Sequence, residues 1–289
     1  MISLLMEDGL QMASRTKKIG FMQGRLSDIV DGKIQAFPWN NWKNEFCDAK
    51  KININNIEWT LDQKDLYKNP LMSIKGRSDI KSLCRKFSIK IPSLTGDCFM
   101  QAPFWKANKR FEKIYKRDFK EILKSCSELD INIIVLPLVD AGSIDSQKQE
   151  NILIEFLVEI TDYLQKNNIK VAFESDYKPQ EFKVFLSNLD EKAFGVNYDI
   201  GNSASLGFDP NEEFSLYGDR ISNVHVKDRA YKGTTVPLGA GDADFELVFS
   251  LLKSINYNGN YILQTARAYD GEHIRMIENI KYVTGMDKK

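Results

Sequence analysis

Two hydrophobic patterns alternate along the chain from residue 18 onward. Short β-rich runs, most of them continuously apolar, stand at 18–22 (KIGFM), 55–59 (NNIEW), 88–94 (SIKIPSL) and 131–138 (INIIVLPL). Four more follow at 169–175 (IKVAFES), 194–199 (FGVNYD), 220–228 (RISNVHVKD) and 260–265 (NYILQT). A strand that is apolar on both sides is one covered on both sides, the condition of a parallel sheet. Longer charged segments with helical spacing separate these runs, at 41–51, 74–87, 108–130, 146–168, 178–189, 211–218, 244–255 and 272–285. Within 146–168, Ile152, Phe156, Ile160 and Tyr163 fall at spacings of four, four and three, which predicts one buried stripe. Asn211 after Pro210 and Asp244 before FELVF are the expected helix N-caps.

Eight strands alternating with eight helices predict the α/β class and a single (β/α)8 TIM barrel over residues 18–289, with residues 1–17 as a loose extension outside it. The competing arrangement is a doubly wound open sheet. It would carry a glycine-rich phosphate loop after the first strand, and GFMQGRL lacks the GxGxxG spacing, so no nucleotide cofactor is expected.

Charge narrows the partners. Lys plus Arg and Asp plus Glu both total 40, so no long-range field favours nucleic acid or an anionic membrane. No apolar run approaches the roughly 18 residues that span a bilayer. Glu7 and Asp8 interrupt the amino end where a secretory leader needs a basic start and an unbroken apolar stretch. Cys47, Cys84, Cys98 and Cys126 form no CxxC pair and read as free thiols, which implies a reducing cytoplasm.

In a barrel of this kind the inward residues at the carboxyl ends of the strands form the mouth, where chemistry is placed. Those ends read Gln23 or Arg25, Glu58, Glu174, Asp199, His225 and Gln264. Because side chains alternate along a strand, Glu174 shares a face with Ala172, Asn197 with Asp199, His225 with Lys227 and Gln264 with Ile262. Two carboxylates, an imidazole and an amide oxygen thus converge on consecutive strand ends. Oxygen ligands with one imidazole suit a single divalent ion such as Mn²⁺, Mg²⁺, Co²⁺ or Zn²⁺.

At NYDIGNSASLG (197–207), NVHVKDR (223–229) and PLGAGDADF (237–245), with weaker echoes in GFMQGRL and NIEW, the sequence resembles the xylose isomerase-like TIM barrels, the sugar phosphate isomerase/epimerase superfamily. The resemblance spans about residues 18 to 285. It implies a divalent cation held by Glu174, Asp199 and His225, with the fourth family position, a Glu, falling on Gln264. In epimerases of that family two Glu residues exchange protons with opposite faces of the substrate, which an amide cannot do.

The expected reaction is proton abstraction next to a carbonyl of a small sugar or sugar phosphate, with a metal stabilising the enediolate. Glu174 is the expected base, with His225 and Lys227 beside it. One-base isomerisation is narrowly favoured over two-base epimerisation, although Asp176, Glu58 or Asp228 remain candidate second acids. Glu58, Asn202, Arg229 and Arg267 are the expected substrate contacts. A metal-dependent dehydratase and a non-catalytic sugar-binding barrel stay open, as does a homodimer or homotetramer. A nuclease of the related kind would need several histidines, and the chain has two; His273 is expected on the surface. The segment 23–42, with Phe37, Trp39 and Trp42, is expected either to form a wall or lid or to pack on the rim, and GAGDADF to be a loop that covers the site or simply turns into a helix.

Overall fold

The computed structural model describes residues 18–267 and the helix at 272–286, in which the side chains of residues 273, 274 and 286 are not described. The extension expected at 1–17 and the surface position expected for the His273 side chain lie outside the described residues.

Numbered as they circle the barrel, the strands are β1 (Lys18–Met22), β2 (Asn56–Thr60), β3 (Lys90–Thr95), β4 (Ile133–Leu138), β5 (Lys170–Ser175), β6 (Phe194–Asp199), β7 (Ile221–Val226) and β8 (Asn260–Leu263). Each pairs in parallel with the next, and β8 closes on β1, with Lys18 opposite Asn260 and Phe21 opposite Leu263. The fold is therefore a closed TIM barrel, and the open sheet is excluded. Register matters most between β6 and β7, where Asp199 stands opposite His225, and between β7 and β8, where His225 stands opposite Ile262.

Outward-facing strand residues bury against the helices. Phe173 of β5 meets Phe185 of the following helix and Phe194 of β6, and between two helices Phe119 meets Phe156. Full burial of such a side chain contributes about 1.5–3 kcal/mol, and this layer fixes where the strand ends lie. In the helix Gln147–Lys166 the buried face is Leu153, Phe156, Leu157, Ile160 and Leu164. This corrects the expected stripe: Ile152 is only partly buried and Tyr163 is 38% exposed, because the helix turns the Leu153 and Leu164 rows onto the barrel. Asp244 caps its helix through Leu247 N at 2.9 Å. Asp209, not Asn211, caps the helix Pro210–Tyr217, since Pro210 occupies its first turn and Asn211 N donates to Asp209 Oδ1.

The aromatic segment packs on the rim. Phe37 and Trp42 lie 5.5 and 5.7 Å from the Trp59 ring, and Phe37 is fully buried. The sequence pattern did not show the short helix Asp97–Gln101 after β3 or the helix Ile200–Leu206 after β6. No helix among the described residues is long and apolar enough to cross a membrane, and all the cysteines are free.

Candidate active site

Barrel interiors of this class are commonly filled by branched apolar residues, but here the upper interior is polar. Glu58, Ser93, Asn223 and His225 are fully buried, and Asn197 nearly so. Asn223 Nδ2 donates to Asn197 Oδ1 at 2.8 Å and to Glu58 Oε2 at 3.1 Å; Ser93 Oγ donates to Glu58 Oε2 at 2.7 Å, and Thr95 donates to Oε1. Buried charge survives only when its lone pairs are occupied, and Glu58 meets that condition.

His225 Nε2 lies 2.8 Å from Glu58 Oε1. On the other side of the ring, Nδ1 is 3.1 Å from Glu174 Oε2 and 3.8 Å from Asp199 Oδ2. A carboxylate can only accept, so Glu58 fixes the proton on Nε2 and turns Nδ1 toward the other two carboxylates. Asn197 Nδ2, 3.1 Å away, can donate to a bare Nδ1, while the anionic oxygens beside it favour a cation there, either a proton or a metal. Burial alone would lower the His225 pKa, but Glu58, with the bonds to Asp199 and Glu174, outweighs it and holds the imidazolium well above its ordinary range. For Glu58 burial works upward, and His225 with the two hydroxyls overrides it, so its carboxyl titrates below the ordinary value.

Asp199 serves two purposes. Its Oδ1 accepts from Asn202 N at 2.8 Å and so starts the helix after β6. Lys227 Nζ stands 2.7 Å from Oδ2, yet off the direction of a hydrogen bond, so that oxygen is charge-compensated without being saturated. Burial would raise the Asp199 pKa, but Lys227 and His225 bring it down to about 2.

Glu174 faces the same point. Asn202 Nδ2 donates to its Oε1 at 2.5 Å and Asn197 Nδ2 to its Oε2 at 3.0 Å. Arg229 Nη1 in turn donates to Asn202 Oδ1 at 2.8 Å, while its Nε and Nη2 hold the Gly233 carbonyl. Arg229 therefore reaches the site through Asn202, which steadies the Glu174 carboxylate.

One ligand atom each from Glu174, Asp199 and His225 lie within 4.8 Å of one another. Bonds of about 2.0–2.2 Å place donors up to roughly 4.4 Å apart, so the cluster needs only slight contraction to hold an ion. Gln264, the residue after β8, has a buried Oε1 with no hydrogen-bond partner. The donor set and this unsatisfied oxygen fit a divalent cation.

Two expected substrate contacts, Glu58 and Arg267, and one candidate second acid, Asp228, are engaged elsewhere. Glu58 lies fully buried beneath His225 with both oxygens occupied, so it supports the imidazole instead of meeting substrate. Arg267 clamps the loop after β1, donating to the carbonyls of Gly24 and Ser27, with Glu272 2.9 Å from its Nε. Asp228, a candidate second acid, is fully buried and accepts from the backbone amides of Gly239, Gly241 and Ala243.

Sequence reading missed two carboxyl groups at the mouth. Asp97, at the start of the short helix after β3, is pushed up to about 7 by burial, against its bond from Gln35. Asp62 accepts from Phe37 N at 3.0 Å and from Gln101 Nε2 at 2.9 Å. The parity of Asn197 with Asp199 was a usable signal; Gln35, in a long loop without periodicity, offered none.

The family description "xylose isomerase-like TIM barrel" matches residues 46–282. A protein of Haemophilus influenzae provisionally named L-ribulose-5-phosphate 3-epimerase SgbU is 27% identical over 249 residues, covering 80% of this chain and 86% of its own. Among solved structures, a xylose isomerase domain protein from Planctomyces limnophilus superimposes with a TM-score of 0.75 at 14% identity, over 95% of this chain and 98% of that one. A xylose isomerase-like TIM barrel protein from Mycobacterium smegmatis, solved in complex with magnesium, gives 0.69 at 16% identity, over 94% and 97%.

Proposed function

The chain belongs to the xylose isomerase-like TIM barrel family, and we propose that it is a divalent-metal-dependent enzyme that moves a proton next to a carbonyl of a small sugar or sugar phosphate. The observation that carries this reading is His225, anchored through Nε2 to Glu58 and presenting Nδ1 to Glu174 and Asp199. Glu174, Asp199, His225 and Gln264 would hold the ion, with residues 18–289 as the catalytic barrel.

When bound, the cation supplies a Lewis acid that offsets the negative charge developing on the carbonyl oxygen. Everything else falls to side chains. Glu174, 7% exposed at the mouth, is the group positioned to take the proton, and Asn197 and Asn202 fix its orientation. Lys227 compensates Asp199 and borders the space a substrate hydroxyl would fill. The name carried by the Haemophilus relative favours a pentulose 5-phosphate as substrate and epimerisation at carbon 3. Against a second base on β8 stands the amide of Gln264, so isomerisation by Glu174 alone remains a product to be sought in the same assay.

The test is solvent deuterium uptake, followed by NMR, into ketopentose 5-phosphates and free ketohexoses with Mn²⁺ present. Deuterium at the carbon next to the carbonyl, abolished by Glu174→Gln, supports the reading. Loss of water from the sugar would make the enzyme a lyase, and no exchange with any of them would leave a sugar-binding barrel.

A further inference from the structure

Gln264 is the one amide of the donor set, and the oxygen and nitrogen of an amide can exchange by a half-turn. Its surroundings decide. Gln264 Nε2 donates to Gln35 Oε1 at 2.9 Å, and Gln35 Nε2 donates to Asp97 Oδ2. Asp97, when ionised, offers only acceptors, so it requires the Gln35 amide to point its nitrogen inward and its oxygen toward Gln264. That oxygen requires the nitrogen of Gln264 in turn, which leaves Gln264 Oε1 buried and unpartnered.

The segment carrying Gln35 is held on both sides of it. Arg25 Nη1 donates to the Ile34 carbonyl and Arg25 Nε to the Thr265 carbonyl, both at 3.0 Å, while Phe37 N is bonded to Asp62. The same guanidinium thereby ties the loop after β1 to the residue following Gln264. Gln264 N donates to Val226 O at 3.1 Å, which places it beside the strand of His225.

We propose that Asp97 and Gln35 are positioning residues that polarise a chain of two amides, so that Gln264 presents its oxygen, and not its nitrogen, to a divalent cation shared with Glu174, Asp199 and His225. The inference rests on the metal-dependent reading above and deepens it: a neutral amide becomes a dependable oxygen ligand because a carboxylate two side chains away sets its direction. The relay also explains why a polar residue in a long loop reaches across the mouth to two different strand ends.

The test is Mn²⁺ binding to metal-stripped protein by calorimetry, with Co²⁺ absorption as a measure of coordination. Gln35→Leu should weaken Mn²⁺ by about 10-fold, the scale seen when an outer partner of a ligand is lost, and should alter the Co²⁺ spectrum. Asp97→Asn, which can accept or donate, should fall between it and wild type. A carboxylate has two equivalent oxygens and needs no such guidance, so in a Gln264→Glu background the Gln35→Leu change should leave affinity unchanged or tighten it. Equal weakening in both backgrounds would mean that Gln35 acts only through loop packing, and overturns the relay. Wild-type binding that His225→Ala abolishes and Gln35→Leu leaves untouched overturns the relay alone; no binding by wild type overturns the metal reading together with it.

Discussion

His225 and Glu58 meet at 2.8 Å, Nε2 to Oε1, inside the barrel where neither side chain has any exposure to solvent. The pair joins the bottom of the site to its top, because the proton that Glu58 demands on Nε2 is what frees Nδ1 to face Glu174 and Asp199.

Removing that demand should loosen the site without emptying it. In Glu58→Gln the amide can accept from His225 or donate to it, so the imidazole loses its fixed tautomer. Metal affinity is expected to fall by about 10–100-fold, the range found when an outer carboxylate of a metal-bound histidine is removed. Glu58→Leu also strands Ser93, Thr95 and Asn223 without their acceptor and should cost about 3–5 kcal/mol of stability. Calorimetric Mn²⁺ titration and urea unfolding separate the two effects.

Metal must also compete with a proton at Nδ1. The carboxylates around His225 hold its imidazolium well above the ordinary range, with burial opposing them. Binding is therefore expected to release about one proton per ion, and affinity to rise up to roughly tenfold per pH unit until His225 is deprotonated in the metal-free protein. Titrations in buffers of different ionisation enthalpy measure that release directly. A pH-independent affinity with no proton release would show that Nδ1 carries no proton in the metal-free protein.

The sequence made the frame of this site legible and left its setting hidden, for a physical reason. Period and parity act locally, so the strand ends and the inward face of Glu174, Asp199, His225 and Gln264 follow from the chain itself. The partners of those residues are set by barrel closure, which brings Glu58 of β2 beneath His225 of β7 across 167 positions of chain. Glu58 reads as a mouth residue from its place in NIEW, and only the closed barrel shows that Ser93, Thr95 and Asn223 enclose it. Arg267 and Asp228 were legible as charged residues near strand ends, but their backbone partners belong to loops without periodicity.

Asp228 shows what such a charge does. Its Oδ2 accepts from Gly239 N at 2.8 Å and Gly241 N at 2.9 Å, and its Oδ1 from Ala243 N at 3.3 Å. A Cβ on Gly241 would come within 2.2 Å of Oδ1, so the glycine is needed for this approach. Asp228→Ala should release the loop 237–245 by freeing these three amides, each such charge-assisted bond contributing about 1.5–3 kcal/mol in favourable settings. Hydrogen exchange should show protection lost at Gly239, Gly241 and Ala243 while β7 and β8 stay protected; unchanged exchange there would mean that the loop is held by something else.

Stability should depend on pH through Glu45, which holds the loop after β1. This fully buried carboxyl accepts from Gly24 N, Leu26 N and Ser27 Oγ at 2.8–3.1 Å, and burial, against those bonds, raises its pKa from 4.5 to about 7. The folded protein therefore keeps the proton to higher pH than the unfolded chain does. Between about 4.5 and 7 the native state binds more protons, so stability should fall as pH rises through that window, by up to roughly 3 kcal/mol from this group. Asp97, raised to about 7 by burial, adds a slope of the same sign from below 4.5. Glu45→Gln keeps an oxygen for the same donors and cannot ionise, so it should remove its share of the slope and leave that of Asp97. Urea unfolding at pH 5 and pH 7.5 measures the difference: the variant should gain on wild type at the higher pH and match it at the lower. An equal pH dependence in the two proteins would show that Glu45 is already ionised at pH 5 in the folded state.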